Sequence, residues 1–306
     1  MKIGITLGDP AGVGPETVLR AVQETERRNI LLIGSEEVLK WEAKRLKVNY
    51  DGVGVIDTGP VGKYEYGRVQ KGCGVAAWRA LERGVELLRN GTIGALVTAP
   101  VSKEALRLAG FPFPGQTEFL AQRLRARRYA MLAWSRRFKV IFVTIHVPLG
   151  RVAPLITARA VQEKILLIDE FLRREAPKRF RHGAQPKIAV LAFNPHGREF
   201  STGEEKRIEA GVKSAQKKKV AAFGPIPADA IFAHLDDFDG FVAMYHDQAM
   251  IPAKLLSQGR GVNVTLGLEA VRTSPLHGVA FDIAGQGIAS HHSTLAAIQL
   301  ARKLAR

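Results

Sequence analysis

Gly240-Phe-Val-Ala-Met-Tyr-His-Asp-Gln-Ala-Met-Ile-Pro-Ala-Lys254 is the stretch around which the chain can be read. Its first five residues are a short apolar run, the pattern of a buried strand. Tyr245, His246, Asp247 and Gln248 follow at the strand's carboxyl end, ahead of Pro252. In open α/β sheets, ligands bind at that end of the strands. His246 offers a neutral nitrogen ligand or a proton shuttle, Asp247 a base or a partner for the imidazole, and Lys254 a fixed cation for an anionic substrate. A histidine bonded into its own loop would read the same way in isolation.

The pattern recurs twice, in Lys139-Val-Ile-Phe-Val-Thr-Ile-His146 and in Lys187-Ile-Ala-Val-Leu-Ala-Phe-Asn-Pro-His196. Three strands that each end in a histidine suggest three imidazoles at one rim of a sheet. Three nitrogen ligands with an open position are what a catalytic divalent metal uses, and they suit zinc, cobalt and others. The spacing is long-range, so the fold must bring His146, His196 and His246 together.

Working outward, 306 residues with 46% hydrophobic content can bury one large core or two smaller ones. No run approaches the ~20 apolar residues that span a bilayer, and Met1-Lys-Ile-Gly-Ile-Thr6 enters a strand directly, without a signal peptide. The single Cys73 excludes an intramolecular disulfide framework, so the expected location is cytoplasmic. The net charge of +16, from 45 Lys and Arg against 29 Asp and Glu, invites a nucleic-acid reading. Yet the excess is scattered over Arg123 to Arg128, Arg173 to Arg181, Lys213 to Lys219 and Arg302 to Arg306, with no aromatic-interleaved motif or paired Cys/His finger. These clusters read as solvated helix faces and ends that help to attract an anionic substrate. Neither a nucleic acid nor a membrane is an expected partner.

In chain order, residues 2–7 read as a strand, and Gly8-Asp-Pro-Ala-Gly-Val-Gly-Pro-Glu16 turns into a helix running to about Glu26. No Gly-Lys-Ser/Thr follows, so this is not a Walker loop; it is either an anion-facing turn or a tight corner. Leu31 to Gly34 is a strand, Ser35 caps a helix from Glu36 to Leu46, and Gly52 to Asp57 is a third strand. Thr58 to Gly74 reads as a surface loop, and Val75 to Arg89 as a helix. Gly94 to Pro100 is a buried strand, Phe111-Pro-Phe-Pro114 a rigid connector, and Gly115-Gln-Thr-Glu118 opens a helix to about Arg127. Thr157 to Glu175 is a long amphipathic helix, Ala176 to Pro186 a basic connection, and Thr202-Gly-Glu-Glu205 a capping box for a helix to Lys219. His277 to Gly287 is too glycine-rich for a regular element, and Ser293 to Ala305 closes the chain as a helix. The alternation predicts an α/β fold, mostly parallel, in two lobes.

Six motifs together resemble the PdxA family of 4-hydroxythreonine-4-phosphate dehydrogenases from vitamin B6 biosynthesis. They are Gly8 to Glu16, Thr98-Ala-Pro-Val-Ser-Lys103, Gly115 to Glu118, Asn194-Pro-His196, Tyr245 to Gln248 and Arg272-Thr-Ser-Pro275, and the likeness runs from Lys2 to about Ala297. The segment from His277 to Ala289 is also similar to the cofactor loop of isopropylmalate and isocitrate dehydrogenases. That kinship implies two α/β/α lobes with the site in a cleft between them, in a homodimer. Residues 1–127 with 262–306 would form the cofactor-binding lobe, and 128–261 the metal-binding and dimerisation lobe.

The family's metal ligands fall on His146, His196 and His246, two from one subunit and one from its partner, for zinc, cobalt or magnesium. Its substrate contacts fall on Thr117, Lys254, Asn263 and Arg272, and on Gln116, where the family usually has His. The resemblance puts NAD or NADP along His277, Gly278, Asp282, Gly285 and Gly287; no Gly-x-Gly-x-x-Gly fingerprint follows a strand. Asp247 and Lys254 are the residues expected to act in catalysis. A second departure follows His196, where Gly197-Arg-Glu-Phe200 replaces Ala-Gly-Glu and the loop is shorter. The implied reaction oxidises 4-phosphooxy-L-threonine and then decarboxylates it to 3-amino-2-oxopropyl phosphate. A sister dehydrogenase for phosphothreonate or phosphoerythronate, or a non-catalytic phosphate- or metal-binding protein, would share the pattern.

Overall fold

The computed structural model describes residues 1–181 and 183–305. His182 in the basic connection and Arg306 in the closing basic cluster lie outside the described residues. The chain forms two compact units, Met1–Tyr129 with Gly259–Arg306, and Ala130–Gln258.

The first unit begins β1 (Ile3–Thr6), α1 (Gly14–Gln23), β2 (Ile30–Gly34), α2 (Glu36–Leu46), β3 (Gly54–Asp57), α3 (Lys71–Arg89), β4 (Ala95–Thr98), α4 (Lys103–Leu108) and α5 (Gln116–Arg123). The second unit carries β5 (Ala130–Trp134), β6 (Lys139–Phe142), α6 (Ala158–Glu175), β7 (Lys187–Leu191), α7 (Glu204–Gln216), β8 (Ala221–Ile226), α8 (Ala228–Ile231), β9 (Gly240–Ala243) and α9 (His246–Ser257). The chain then returns to the first unit with β10 (Val262–Leu266), β11 (Val271–Pro275) and α10 (His292–Leu304). Strands of the first unit lie in the order β3-β2-β1-β4-β11-β10, parallel except for β10 against β11. Those of the second run β5-β6-β9-β7-β8, parallel except for β5 against β6. The fold is α/β and mostly parallel, as the alternation predicts. Every residue of β1, β2, β4 and β9 is buried, which is why these strands read as continuous apolar runs rather than as alternation.

Several element ends differ from the sequence expectation. Ser35 occupies the N-cap of α2 but makes no capping bond. Parallel pairing of Gly34 with Asp57 brings a stronger acceptor alongside, and Asp57 Oδ1 takes the Glu36 N–H at 2.9 Å. The capping box is also displaced. Gly203, at φ +122°, is the N-cap of α7, and the Thr202 N–H and hydroxyl both donate to Glu204. α7 stops at Gln216, and α5 stops at Arg123 with Arg125 in the left-handed region. The apolar runs before His146 and His196 leave the sheet early, at Phe142 and Leu191. Tyr245 is a strand-to-helix corner, because α9 starts at His246 and carries Pro252 inside it.

α3 begins at Lys71, within the stretch expected to be loop. Its glycines mark packing rather than a break. A Cβ on Gly74 would lie 2.0 Å from the Ala105 carbonyl oxygen of α4, whereas one on Gly72 would meet only Val61 O at 3.5 Å. Alanine in a helix interior gains about 0.5–1 kcal/mol over glycine. Overpacking against backbone that cannot swing aside costs about 1–3 kcal/mol, so the clash should win at Gly74. Gly74→Ala is expected to lower the urea midpoint by an amount equivalent to about 1–2 kcal/mol, with Gly72→Ala neutral or slightly stabilising. Equal midpoints for the two variants would refute the packing account.

Candidate active site

β6 and β9 are parallel neighbours, with Phe142 opposite Ala243. This register sends both chains off the sheet side by side. Val143 N–H donates to Ala243 O at 2.8 Å, and the Thr144 hydroxyl to Met244 O at 2.8 Å. As a result the His146 and His246 rings lie 5.9 Å apart between centroids. His246 opens α9 and stacks on Phe142 at 6.0 Å, while its Nδ1 is 2.7 Å from Asp247 Oδ1. A metal-binding histidine ordinarily gives its other ring N–H to a carboxylate in this way, so the pair fits a borderline divalent cation.

His196 sits apart from that arrangement. It adopts φ +53° after β7, its side chain is 69% exposed, and Nδ1 is 4.0 Å from a Glu199 carboxylate oxygen. Among the described residues of one chain, no three His, Cys, Asp or Glu side chains converge to hold a metal. The three strand ends therefore deliver a pair and a separate third.

Buried Glu205 and half-buried Gln248 set these loops. Glu205 Oε1 accepts the Phe193 and Asn194 N–H groups at 3.1 and 2.8 Å and also takes the Asn194 side-chain amide, pinning the Asn-Pro-His turn to the start of α7. Burial opposes ionisation of Glu205, but the Ser201 hydroxyl and the Asn194 donors outweigh it and hold the carboxyl below its ordinary value. Gln248 bridges strand ends, donating to Ala192 O at 2.6 Å and accepting Met244 N–H at 2.7 Å. Asp247, and Lys254 farther along α9, are both exposed.

In the first unit, Arg272 of β11 is 3% exposed. Its Nη2 and Nε lie 2.7 and 3.2 Å from Thr98 Oγ1, and its Nη1 donates to Thr265 Oγ1 at 2.9 Å. Burial pushes its pKa down to about 10, opposed by the charge of Glu118, so it remains a cation at neutral pH. Gln116 is the first residue of α5, with Thr117 next. Gln116 Nε2 donates to Ala99 O at 3.2 Å, while Gln116 Oε1 and Asn263 Oδ1 are buried acceptors with no partner. A buried cation beside open acceptors is a site built for an anion that also carries donors.

Residues 277–287 form turns, as their glycine content predicts. His277 Nδ1 is 2.9 Å from Gly278 O, burial lowers its pKa, and its Nε2 is buried without a partner. A Cβ on Gly278 would meet nothing within 4 Å, whereas one on Gly285 would strike the Tyr66 ring at 2.7 Å. Asp282 lends its backbone carbonyl to Gln286. An orphaned acceptor beside open backbone fits a nucleotide, which carries donors of its own.

The family profile described as "Pyridoxal phosphate biosynthetic protein PdxA" matches residues 9–301. A 4-hydroxythreonine-4-phosphate dehydrogenase of Desulfosudis oleivorans is 39% identical over 98% of this chain and 94% of its own. A D-threonate 4-phosphate dehydrogenase of Salmonella typhimurium is 37% identical, covering 99% and 98%. The crystal structure of the Klebsiella pneumoniae 4-hydroxythreonine-4-phosphate dehydrogenase superposes with TM-score 0.85 at 34% identity, over 100% of this chain and 99% of that one. A β-decarboxylating dehydrogenase of Thermococcus kodakarensis, 15% identical with TM-score 0.53 over 99% and 83%, shares the fold alone.

Asp9, the first residue matched, was not singled out from the sequence, although it follows β1 at a strand's carboxyl end. Its Oδ1 accepts Ala11 N–H at 2.9 Å, and its Oδ2 is buried without a partner. Burial raises the carboxyl from 3.8 to about 6, and burial together with this neighbour pushes the Cys73 thiol up to about 12. The folded state thus holds the Asp9 proton more tightly than the unfolded chain, and stability falls as pH rises from 3.8 to about 6. At 1.36 kcal/mol per pKa unit the ionised form costs about 3 kcal/mol at neutral pH. Asp9→Asn is expected to gain about 1–3 kcal/mol at pH 7 and almost nothing near pH 4, measured by urea unfolding at both. An equal effect at the two pH values would show that Asp9 is not ionised at a cost.

Proposed function

The chain belongs to the PdxA family, and from that membership we propose that it is an NAD- or NADP-dependent, divalent-metal-dependent dehydrogenase of 4-phosphooxy-L-threonine. Oxidation of the secondary alcohol is followed by loss of carbon dioxide, leaving 3-amino-2-oxopropyl phosphate for pyridoxal 5'-phosphate synthesis. One observation carries the substrate class. Arg272 is a buried cation whose hydrogen-bond partners among the described residues are the hydroxyls of Thr98 and Thr265, and a phosphate matches its fork.

His146 and His246 would hold the metal together with His196 supplied by a second copy of the chain. Their 5.9 Å separation, the exposure of His196, and the exposed apolar Leu149, Phe200, Ile251 and Leu255 of the same unit support this arrangement. Held by these histidines, a divalent metal would supply Lewis acidity toward the substrate oxygen, and a nicotinamide would supply the hydride acceptor. Asp247 keeps the His246 imidazole oriented through Nδ1. Lys254 offers its ammonium to the anionic substrate and would donate the proton that replaces the departing carboxyl group, while the proton of the oxidised hydroxyl leaves to solvent. Gln116, Thr117 and Asn263 line the substrate side, and His277, Gly278, Asp282, Gly285 and Gly287 the dinucleotide side.

A second reading, oxidation of D-threonate 4-phosphate, is supported by the Salmonella typhimurium relative of that name, and Gln116 accommodates both substrates. The open acceptor Oε1 is satisfied equally by the ammonium of one substrate and the hydroxyl of the other. Formation of reduced nicotinamide with each phosphorylated acid, and with its unphosphorylated analogue, separates the two. Equal use of an unphosphorylated analogue would remove the phosphate assignment of Arg272.

The shared site makes a distinct prediction. Mixing His196→Ala with His246→Ala subunits should restore activity, because one composite site then keeps His146 and His246 from one copy and His196 from the other. Mixing His146→Ala with His246→Ala should not. Activity regained equally in both mixtures would overturn this division of ligands.

A further inference from the structure

The segment after Asp282 is held from outside by a cluster of charged side chains contributed by α1 and α2. Glu16 is 1% exposed, and its Oε1 accepts the Ala289 N–H at 3.0 Å. Its Oε2 is 3.2 Å from Arg45 Nη2, and Arg20 Nε is 3.6 Å from Oε1. Each arginine then reaches a backbone carbonyl, Arg20 Nη2 to Gly287 O at 2.7 Å and Arg45 Nη1 to Gly285 O at 2.8 Å. Arg45 is oriented in turn by buried Glu42, 2.7 Å from Nη2, and lies 5.5 Å over the ring of Tyr66, whose hydroxyl donates to Glu42. Three backbone groups within five residues of an irregular, glycine-rich segment are thereby fixed by side chains more than 200 positions away.

Two arginines facing two glutamates sum to no net charge, so the cluster adds little long-range attraction for a pyrophosphate. What it supplies is order. Glycine-rich backbone loses more conformational freedom on fixing than any other. A segment ordered before the ligand arrives spares that loss at binding.

We propose that Arg20 and Arg45, set by Glu16 and Glu42, are positioning residues for the dinucleotide: they hold residues 285–289 in the bound form before the cofactor enters. This rests on the reading of residues 277–287 as the cofactor segment. The arginines contact backbone carbonyls and not the cofactor.

The test is the Kd of NADH and NADPH for the full-length protein, measured by calorimetry at low and high salt. Arg20→Met, at a partly exposed position, should weaken binding about tenfold, by an equal factor at both salt concentrations. Arg20→Lys, which keeps one donor for Gly287 O, should lose about threefold or less. Arg45→Lys keeps the charge but not the fork that serves Glu16, Glu42 and Gly285 together, and should weaken binding as Arg20→Met does. An unchanged Kd in folded Arg20→Met and Arg45→Lys overturns the proposal, and so does a loss that disappears at high salt, since that would mark a direct charge contact. A wild type that binds neither dinucleotide overturns both this proposal and the cofactor reading beneath it. Variants matching a wild type that does bind overturn the positioning role alone.

Discussion

Parallel strand pairing is the constraint on which the site depends. A parallel neighbour must run the same way, so every parallel strand of a unit releases its carboxyl end at the same rim. In the first unit that rim receives Asp9 after β1, Asp57 at the end of β3, Ala99 after β4 and His277 after β11. In the second unit it receives His146, His246 and His196, with the β9 corner placed centrally in the order β6-β9-β7. Buried apolar strands fix the register, and the register decides which polar groups meet. His146 meets His246 because their strands are hydrogen-bonded neighbours, while His196 arrives from the other side of β9 on a longer excursion.

Arg272 shows what the first unit gives up for such a site. A guanidinium in the middle of a sheet, hydrogen-bonded to threonine hydroxyls, has its pKa pushed by burial well below its ordinary value, to about 10. That corresponds to a folded-state cost on the order of 3 kcal/mol for the charged form. Glu118 is too remote to form an ion pair with it within 4 Å among the described residues. A well-packed apolar residue would relieve the strain, as replacements of buried ion pairs have done elsewhere. Under the proposed function, that cost would be offset by the substrate's phosphate. Asp9 carries a penalty of similar size and opposite sign of charge at the rim of the same sheet.

Legibility in the sequence followed burial. β1, β2, β4 and β9 could be read because both of their faces are covered, which leaves an unbroken apolar run. β8 could not, since Ala221–Ile226 is half exposed and contains Gly224 and Pro225, nor β10, where Asn263 interrupts the run. The start of α3 was hidden because Gly72 and Gly74 look like loop until α4 is seen to press on Gly74. At the site, residue types at strand ends were legible, but which strands adjoin was not, since β6 and β9 are separated by two intervening strands in the chain. The bond from Arg20 to Gly287 spans 267 positions and leaves no local trace.

The loop that carries His196 is fixed by Glu205 and Gln248. At the start of the connection from Leu191 to Glu204, the part-buried N–H groups of Phe193 and Asn194 lie outside the sheet and need partners. Glu205 closes both with one carboxylate oxygen, which its place in the first turn of α7 allows and which the helix's amino end favours. Gln248 does the corresponding work one strand over, spending its amide on Ala192 and its carbonyl oxygen on Met244. The turn that presents His196 is therefore fixed at its base while the imidazole itself stands in solvent. An imidazole held rigidly but facing outward would suit the proposed site, which a second copy of the chain completes.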